Sequence, residues 1–317
     1  MVDILLLIVG FVALIFGADK LVDAASGLAA KFGIPNIVIG LTIVAFGTSA
    51  PELVVNVIAA VNNNTEMVLG NVLGSNIFNV LGILGISSII YPLAVKSNTT
   101  WYEIPLSLLA AVVVLVITAD IFLGESIQNS ISRSDAILLL LFFTIFLVYN
   151  VAVSKNEIST EKTEIKQQKT GTAVLFIFLG LGGLVIGGHL IVESATSIAQ
   201  FLGLSERVIG LTIVSIGTSL PELATSIVAV RKKNVDIAIG NVVGSNIFNI
   251  FFVLGVSAVV TPVVVATASL VDIGMNIFAG ILLFLFVFTG KYRRIDRWEG
   301  VVLISLYLGY LVYLIGF

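Results

Sequence analysis

Apolar and polar positions fall in long blocks along this chain, without the short alternation of a soluble fold. Stretches of about 20 apolar residues recur, the length a helix needs to cross a hydrocarbon core about 30 Å thick. Ten segments fit, near residues 2–19, 36–61, 66–92, 102–119, 134–153, 172–190, 207–230, 236–262, 270–290 and 297–316. They predict an all-α polytopic membrane protein with ten transmembrane helices. The longest polar interruption is residues 154–171, SKNEISTEKTEIKQQKTG, whose four lysines and three glutamates read as a solvated linker. It divides the spans five and five, giving expected units 1–153 and 172–317.

The two halves repeat. Residues 39–52, IGLTIVAFGTSAPE, match 209–222, IGLTIVSIGTSLPE, at 11 of 14 positions, and 70–79, GNVLGSNIFN, match 240–249, GNVVGSNIFN, at 9 of 10. Both pairs share an offset of 170 residues, the mark of an internal duplication. An odd number of spans per half makes the second half enter the membrane from the opposite side. Such inverted repeats characterise many secondary transporters and place the binding site near the midplane, where the halves meet.

Composition agrees with this organisation: the chain is 58% hydrophobic and 11% charged, with a mean hydropathy of +1.14. The net charge of −3 says less than its placement. Of the 16 basic residues, 14 fall in the loops joining spans 1–2, 3–4, 5–6, 7–8 and 9–10, leaving only Arg133 and Arg207 for the other face. The positive-inside rule then puts the linker in the cytoplasm and both termini outside. The first apolar run follows Asp3 without a cationic lead, so it reads as a span and not as a cleaved leader. The absence of cysteine excludes disulfides, thiolate metal sites and cysteine nucleophiles.

Glu52 and Glu222 are the only carboxylates deep within the predicted spans. An ionisable group there costs at least about 2.5 kcal/mol and marks function by default. A buried structural glutamate is the plainer reading, but recurrence of the residue in the same hexapeptide of each half speaks against it. Ala45, Thr48, Ser49 and Glu52 follow i, i+3, i+4, i+7 spacing, hence one helix face, and Ser215, Thr218, Ser219 and Glu222 repeat it. Pro51 removes an N–H and crowds the Gly47 carbonyl, so the helix should kink and free carbonyls near 45–48. Such a break at that depth must line a polar cavity. Asn71, Ser75 and Asn79 form a second oxygen stripe, mirrored by Asn241, Ser245 and Asn249, for which interhelical hydrogen bonding is the competing role. Gly70 and Gly74, with Gly240 and Gly244, are GxxxG pairs suited to close packing.

All these groups offer oxygen, with no sulfur or imidazole. Calcium takes about six to eight oxygens in a flexible cage, whereas borderline metals prefer His or Cys. Two ionised glutamates neutralise one Ca²⁺, and two or three Na⁺ could share the same oxygens, a physical basis for exchange.

GTSAPE and GTSLPE, with GSNIFN in each half, resemble the alpha repeats of the sodium/calcium exchanger family within the cation/calcium antiporter superfamily. The short linker resembles that of its compact prokaryotic members. The resemblance implies a Na⁺/Ca²⁺ antiporter of a prokaryotic cell membrane, not an enzyme, working by alternating access, electrogenic and independent of K⁺. It implies Glu52 and Glu222 as central ligands, backbone carbonyls from Thr48 and Thr218, side-chain oxygens from Ser49, Ser75, Ser219 and Ser245, and outer sodium ligation by the carbonyls of Ala45 and Ser215. Asn79 and Asn249 complete the set. Some relatives carry aspartate where this chain has Asn249, and the paired amides resemble the potassium-independent animal exchangers. The expected partners are Ca²⁺, Na⁺, protons as competitors, and the lipid bilayer, with a monomer as the working unit, no cofactor and no nucleic acid.

Three rival readings remain. In proton/calcium exchangers the repeats resemble GNxxE instead of GTSxPE. A cation channel could use the same oxygens, although a repeated site of charge −2 suits alternating access better. An intramembrane hydrolase lacks a Ser-His or Asp-Asp constellation, and His189 has no evident partner in the sequence. The resemblance also assigns spans 1 and 6 to a sliding gate, where Asp19 and His189 match at the 170-residue offset. For His189, pH sensing competes with the plainer role of an interfacial histidine.

Overall fold

The structure is a computed structural model that describes residues 2–119, 129–156, 169–201, 215–267, 269–290 and 292–316. The first half comprises α1 (Val2–Phe32), α2 (Asn36–Thr48), α3 (Ala50–Val61), α4 (Thr65–Ile90), β1 (Leu93–Ala94), α5 (Thr99–Ile117), β2 (Ser130–Ile131) and α6 (Arg133–Asn156). The second comprises α7 (Thr170–Phe201), α8 (Ser215–Thr218), α9 (Leu220–Arg231), α10 (Val235–Val260), β3 (Val263–Val264), α11 (Ser269–Thr289), β4 (Arg294–Ile295) and α12 (Arg297–Gly316). Eight of these helices are long and apolar enough to cross a membrane, and α2 with α3, bent by 45°, makes a ninth span among the described residues. The first part of the expected span 207–230 lies outside the described residues, and α8 and α9 form the rest. The chain is an all-α integral membrane protein of ten spans in two inverted five-helix repeats.

Helix packing shows the inversion directly. Gly10 and Gly17 of α1 correspond to Gly180 and Gly187 of α7 at the 170-residue offset. In space the pairing is crossed: a methyl group on Gly17 would stand 2.7 Å from the Gly180 carbonyl, and one on Gly10 would stand 3.0 Å from the Gly187 carbonyl. Corresponding helices therefore run antiparallel, with backbones so close that only glycine fits. The short strands obey the same symmetry. β1 pairs with β4 and β3 with β2, both antiparallel, so each ribbon joins the halves. These ribbons, two residues per strand, carry too little pattern to be read from sequence.

Helices α4 and α10 form the buried centre, with a π-helical stretch in each, Phe78–Leu84 and Asn249–Leu254. Every residue of both stretches is buried except the half-buried Phe252. The outer helices turn apolar side chains such as Val12, Leu141, Phe178 and Val312 outward, as lipid contact requires. Among the described residues, the basic positions Lys232, Lys96 and Arg293 gather at one end. Lys232 bonds Asp19 and Asp23 at 2.5 and 2.7 Å, Lys96 pairs with Asp236 at 2.6 Å, and Val95 N–H donates to the Arg293 carbonyl. At the other end Arg133 caps α10 by donating to the carbonyls of Val259 and Val260. Arg207 lies outside the described residues.

Two sequence boundaries need correction. Helices α1 and α7 extend well past the expected ends at 19 and 190. The apolar run stops at Asp19, but Leu21, Val22, Ala24, Ala25 and Ala29 continue a buried stripe that carries the helix on, with Lys20 and Lys31 inside it.

Candidate cation site

The two repeated hexapeptides break their helices as the prolines require. Ser49 (φ −85°, ψ 6°) separates α2 from α3, and Ser219 (φ −91°, ψ 8°) separates α8 from α9. Pro51 and Pro221 fall in the first turn of the following helix, where a missing N–H costs nothing. Glu52 and Glu222 fall in that turn too, beside backbone N–H groups with no helical acceptor.

The halves meet through these residues. Ser49 Oγ donates to Glu222 Oε1 at 2.9 Å, and Ser219 Oγ donates to Glu52 Oε1 at 3.3 Å. Ser245 Oγ adds a bond to Glu222 Oε1 at 3.4 Å. Each carboxylate is thus held by the serine of the opposite half, and neither is more than 1% exposed.

Of the buried side-chain atoms that stay unsatisfied, five belong to the two glutamates and the serine and asparagine stripes of the repeats. Glu52 Oε2, Glu222 Oε2, Ser75 Oγ, Asn79 Oδ1 and Asn249 Oδ1 are buried without a hydrogen-bond partner among the described residues. A buried unpartnered polar atom costs about 1–3 kcal/mol, so several on facing helices call for a common partner. Each of these five is an oxygen able to accept, which is what a hard cation needs, whereas Asn56 Nδ2 behind them is an unpartnered donor. Among the described residues no group of three or more His, Cys, Asp or Glu could hold a metal. The site's formal charge is therefore that of two carboxylates, with neutral oxygens around them.

Behind these atoms lies a bracing layer. Thr48 Oγ1 donates to Asn241 Oδ1 at 3.0 Å and Thr218 Oγ1 to Asn71 Oδ1 at 3.3 Å. Asn241 Nδ2 reaches Ser226 Oγ at 3.1 Å and the Glu222 carbonyl at 3.2 Å, while Asn71 Nδ2 reaches Asn56 Oδ1 at 3.2 Å. Asn71 and Asn241 therefore serve interhelical bonding. Asn56 and Ser226, which sequence reasoning missed, sit one turn beyond the glutamates, a spacing that could have drawn attention to them.

The structure thus brings together Glu52, Glu222, Ser49, Ser219, Ser245, Thr48 and Thr218, with Ser75 and Asn79 on α4 and Asn249 on α10 supplying unpartnered oxygens. Ala45 differs from expectation, because its carbonyl is not freed by the break. It accepts from Ser49 N–H at 3.0 Å, with the Thr48 hydroxyl, which donates to Asn241 Oδ1, 3.3 Å away. In the other half Ser219 N–H bonds the Ile216 carbonyl at 3.1 Å instead of that of Ser215, which opens α8. Glu103 and Glu299 are also buried, but at helix starts. Glu103 accepts from Tyr149 at 2.5 Å, and Glu299 accepts from Asp296 N–H at 2.5 Å and from Thr289. His189 pairs with Glu193 at 3.6 Å, with both side chains exposed.

Two broken helices from inverted halves, converging on buried carboxylates with unpartnered oxygens, define a secondary cation transporter. Comparison then identifies the family. The sodium/calcium exchanger protein family matches residues 2–152 and 172–316, and the chain belongs to it. The protein is 38% identical to the putative antiporter CaxA of Alkalimonas amylolytica, over 98% of each chain. It is 34% identical to the sodium/calcium exchanger MaX1 of Methanosarcina acetivorans, over 99% of this chain and 98% of the other. A structure of the sodium-calcium exchanger NCX_Mj soaked with 10 mM Na⁺ and zero Ca²⁺ superposes with a TM-score of 0.83, at 31% identity over 98% of both chains. The protein is a membrane transporter of the cation/Ca²⁺ antiporter kind and not an enzyme.

Proposed function

We propose that this protein exchanges Na⁺ for Ca²⁺ across a prokaryotic cell membrane by alternating access, electrogenically and without K⁺. The observation that carries this reading is the crossed pair Ser49–Glu222 and Ser219–Glu52, beside buried acceptor oxygens that have no partner. Glu52 and Glu222 would ligate both ions. Ser49, Ser75, Ser219, Ser245, Asn79 and Asn249 would add side-chain oxygens, and Thr48, Thr218 and Ser215 backbone carbonyls. Ala45 would join the sodium sites only after its carbonyl exchanges a hydrogen bond for the ion.

With no charge beyond two carboxylates, the site is neutralised by one divalent ion or by two monovalent ones, its neutral oxygens leaving room for a third, but it cannot hold both kinds of ion together. That competition couples the fluxes. If more positive charge enters as Na⁺ than leaves as Ca²⁺, the membrane potential contributes about 2.3 kcal/mol per charge per 100 mV. The described basic loops, together at one end, support a cytoplasmic linker 154–171 and external termini, the halves being 1–153 and 172–317, and the chain would act as a monomer in the bilayer.

Ca²⁺ uptake into proteoliposomes tests the reading, with outward Na⁺, proton and K⁺ gradients imposed separately and the potential clamped or free. Uptake should follow the Na⁺ gradient alone and change when the clamp is released. Uptake driven by protons and not by Na⁺ would assign the chain to proton/calcium exchange, and flux persisting with no counter-ion would make it a channel.

A further inference from the structure

The GSNIFN motif contains two asparagines per half, and they have different partners. On α4 and α10, Asn76, Asn79, Asn246 and Asn249 are all buried, none more than 3% exposed. Asn76 Nδ2 donates to the Asn246 backbone carbonyl at 3.1 Å, and Asn246 Nδ2 donates to the Asn76 backbone carbonyl at 3.4 Å. The remaining acceptors of this pair are then used across the axis. Asn79 Nδ2 donates to Asn246 Oδ1 at 3.0 Å, and Asn249 Nδ2 donates to Asn76 Oδ1 at 3.1 Å.

The direction of every bond in this quartet follows from the backbone. A peptide carbonyl can only accept, so Asn76 and Asn246 must each turn an NH₂ toward one. Their Oδ1 atoms then face Asn249 and Asn79, which must answer with NH₂. The oxygens of Asn79 and Asn249 are left on the far side of each amide, and these are the two atoms found buried without a partner.

We propose that Asn76 and Asn246 are positioning residues for cation exchange: by gripping the NH₂ ends of Asn249 and Asn79 across the pseudo-two-fold axis, they hold both amide oxygens toward the transported ion. Neither touches the ion. This inference rests on the Na⁺/Ca²⁺ site read above and adds the groups that set the orientation of two of its neutral ligands.

Double-mutant cycles on the KM for Ca²⁺ uptake test it. Bracing groups of this kind are worth about 10- to 100-fold in metal affinity. Asn76→Ala and Asn249→Ala should each raise the Ca²⁺ KM by about tenfold, and the pair should stay within about threefold of the worse single variant, because both remove one oriented oxygen. Asn246→Ala with Asn79→Ala should behave alike, an independent cycle should one alanine variant fail to fold. Asn76→Asp separates positioning from scaffolding. It keeps an acceptor for Asn249 Nδ2 but sets a second oxygen against the Asn246 carbonyl and adds an ionisable group, so its Ca²⁺ KM should rise less than that of Asn76→Ala. Additive losses of about a hundredfold in either cycle, an unchanged KM in folded Asn76→Ala, or a KM in Asn76→Asp raised as far as in Asn76→Ala would overturn the proposal. Glu52→Gln run alongside distinguishes the two levels. Unimpaired Ca²⁺ uptake there would sink the site itself, whereas its loss with silent Asn76 and Asn246 variants would sink only the positioning role.

Discussion

Gly244→Ala tests whether backbone contact between the halves sets the ligand positions. Gly244 lies on α10 beside Ser245, facing α2. A methyl group there would stand 2.7 Å from the Leu41 carbonyl, 2.8 Å from Leu41 Cα and 2.9 Å from Ala45 Cβ, where ordinary contact begins at 3.4 Å. All three atoms belong to the main chain or its first side-chain carbon, so no rotamer relieves the clash, and α2 and α10 must part by about 0.7 Å. The window of Ca²⁺–oxygen distances is only about 0.3 Å wide. Helix α2 carries Thr48, and α10 carries Ser245 and Asn249, so the strain falls on the ion-bound state. Overpacking of this kind costs about 1–3 kcal/mol, which corresponds to about 5- to 150-fold in Ca²⁺ affinity if borne wholly by that state. The assay is the Ca²⁺ KM in proteoliposomes, with thermal melting to confirm folding. Gly274→Ala on α11, where an added methyl meets no described atom within 4 Å, is the control of equal chemical size. Wild-type Ca²⁺ KM and turnover in Gly244→Ala would show that contact between α2 and α10 does not set the ligand positions.

Glu52→Gln and Glu222→Gln should each reduce Na⁺-driven Ca²⁺ uptake by at least about a hundredfold, because half the site's charge is lost where solvent cannot replace it; substantial uptake in either folded variant would contradict this. Asn249→Asp adds an ionisable oxygen at a position now neutral, so ion selectivity or the pH profile of flux should change. Identical Na⁺, K⁺ and pH dependence would show that Asn249 takes no part. Lys232→Ala removes the tie from the turn after α9 to Asp19 and Asp23 on α1. The groups are 30–53% exposed, so the tie is worth at most about 1 kcal/mol. Turnover should shift by about fivefold or less while equilibrium Ca²⁺ affinity holds, and an altered affinity would contradict that.

What is legible in the sequence is what a linear pattern encodes. Long apolar blocks, the shared offset of the two hexapeptides with five spans per half, and a proline one residue before each glutamate foretold the spans, the inversion and the helix breaks. Other features depend on partners distant in sequence. That Ser49 serves Glu222 and not Glu52 follows from the antiparallel meeting of the halves, which no local spacing reveals. The same holds for the asparagines: SNIFN shows two amides three residues apart, but only the crossing of α4 and α10 decides which braces and which is left free to ligate. The π-helical stretches change hydrogen-bond spacing without changing hydropathy. The Ala45 carbonyl was expected to be free because Pro51 breaks the helix, yet the break falls at Ser49, whose own N–H still reaches back to it.

On this reading Glu52 and Glu222 form a single site contested by Ca²⁺ and Na⁺. Equilibrium binding of radioactive Ca²⁺ to the purified protein tests it most directly, with Na⁺ titrated against it in wild type, Glu52→Gln and Glu222→Gln. Each wild-type chain should bind a single Ca²⁺, displaced cooperatively by Na⁺, and both variants should lose binding. Ca²⁺ that stays bound in either variant, or that Na⁺ fails to displace from the wild type, would contradict it.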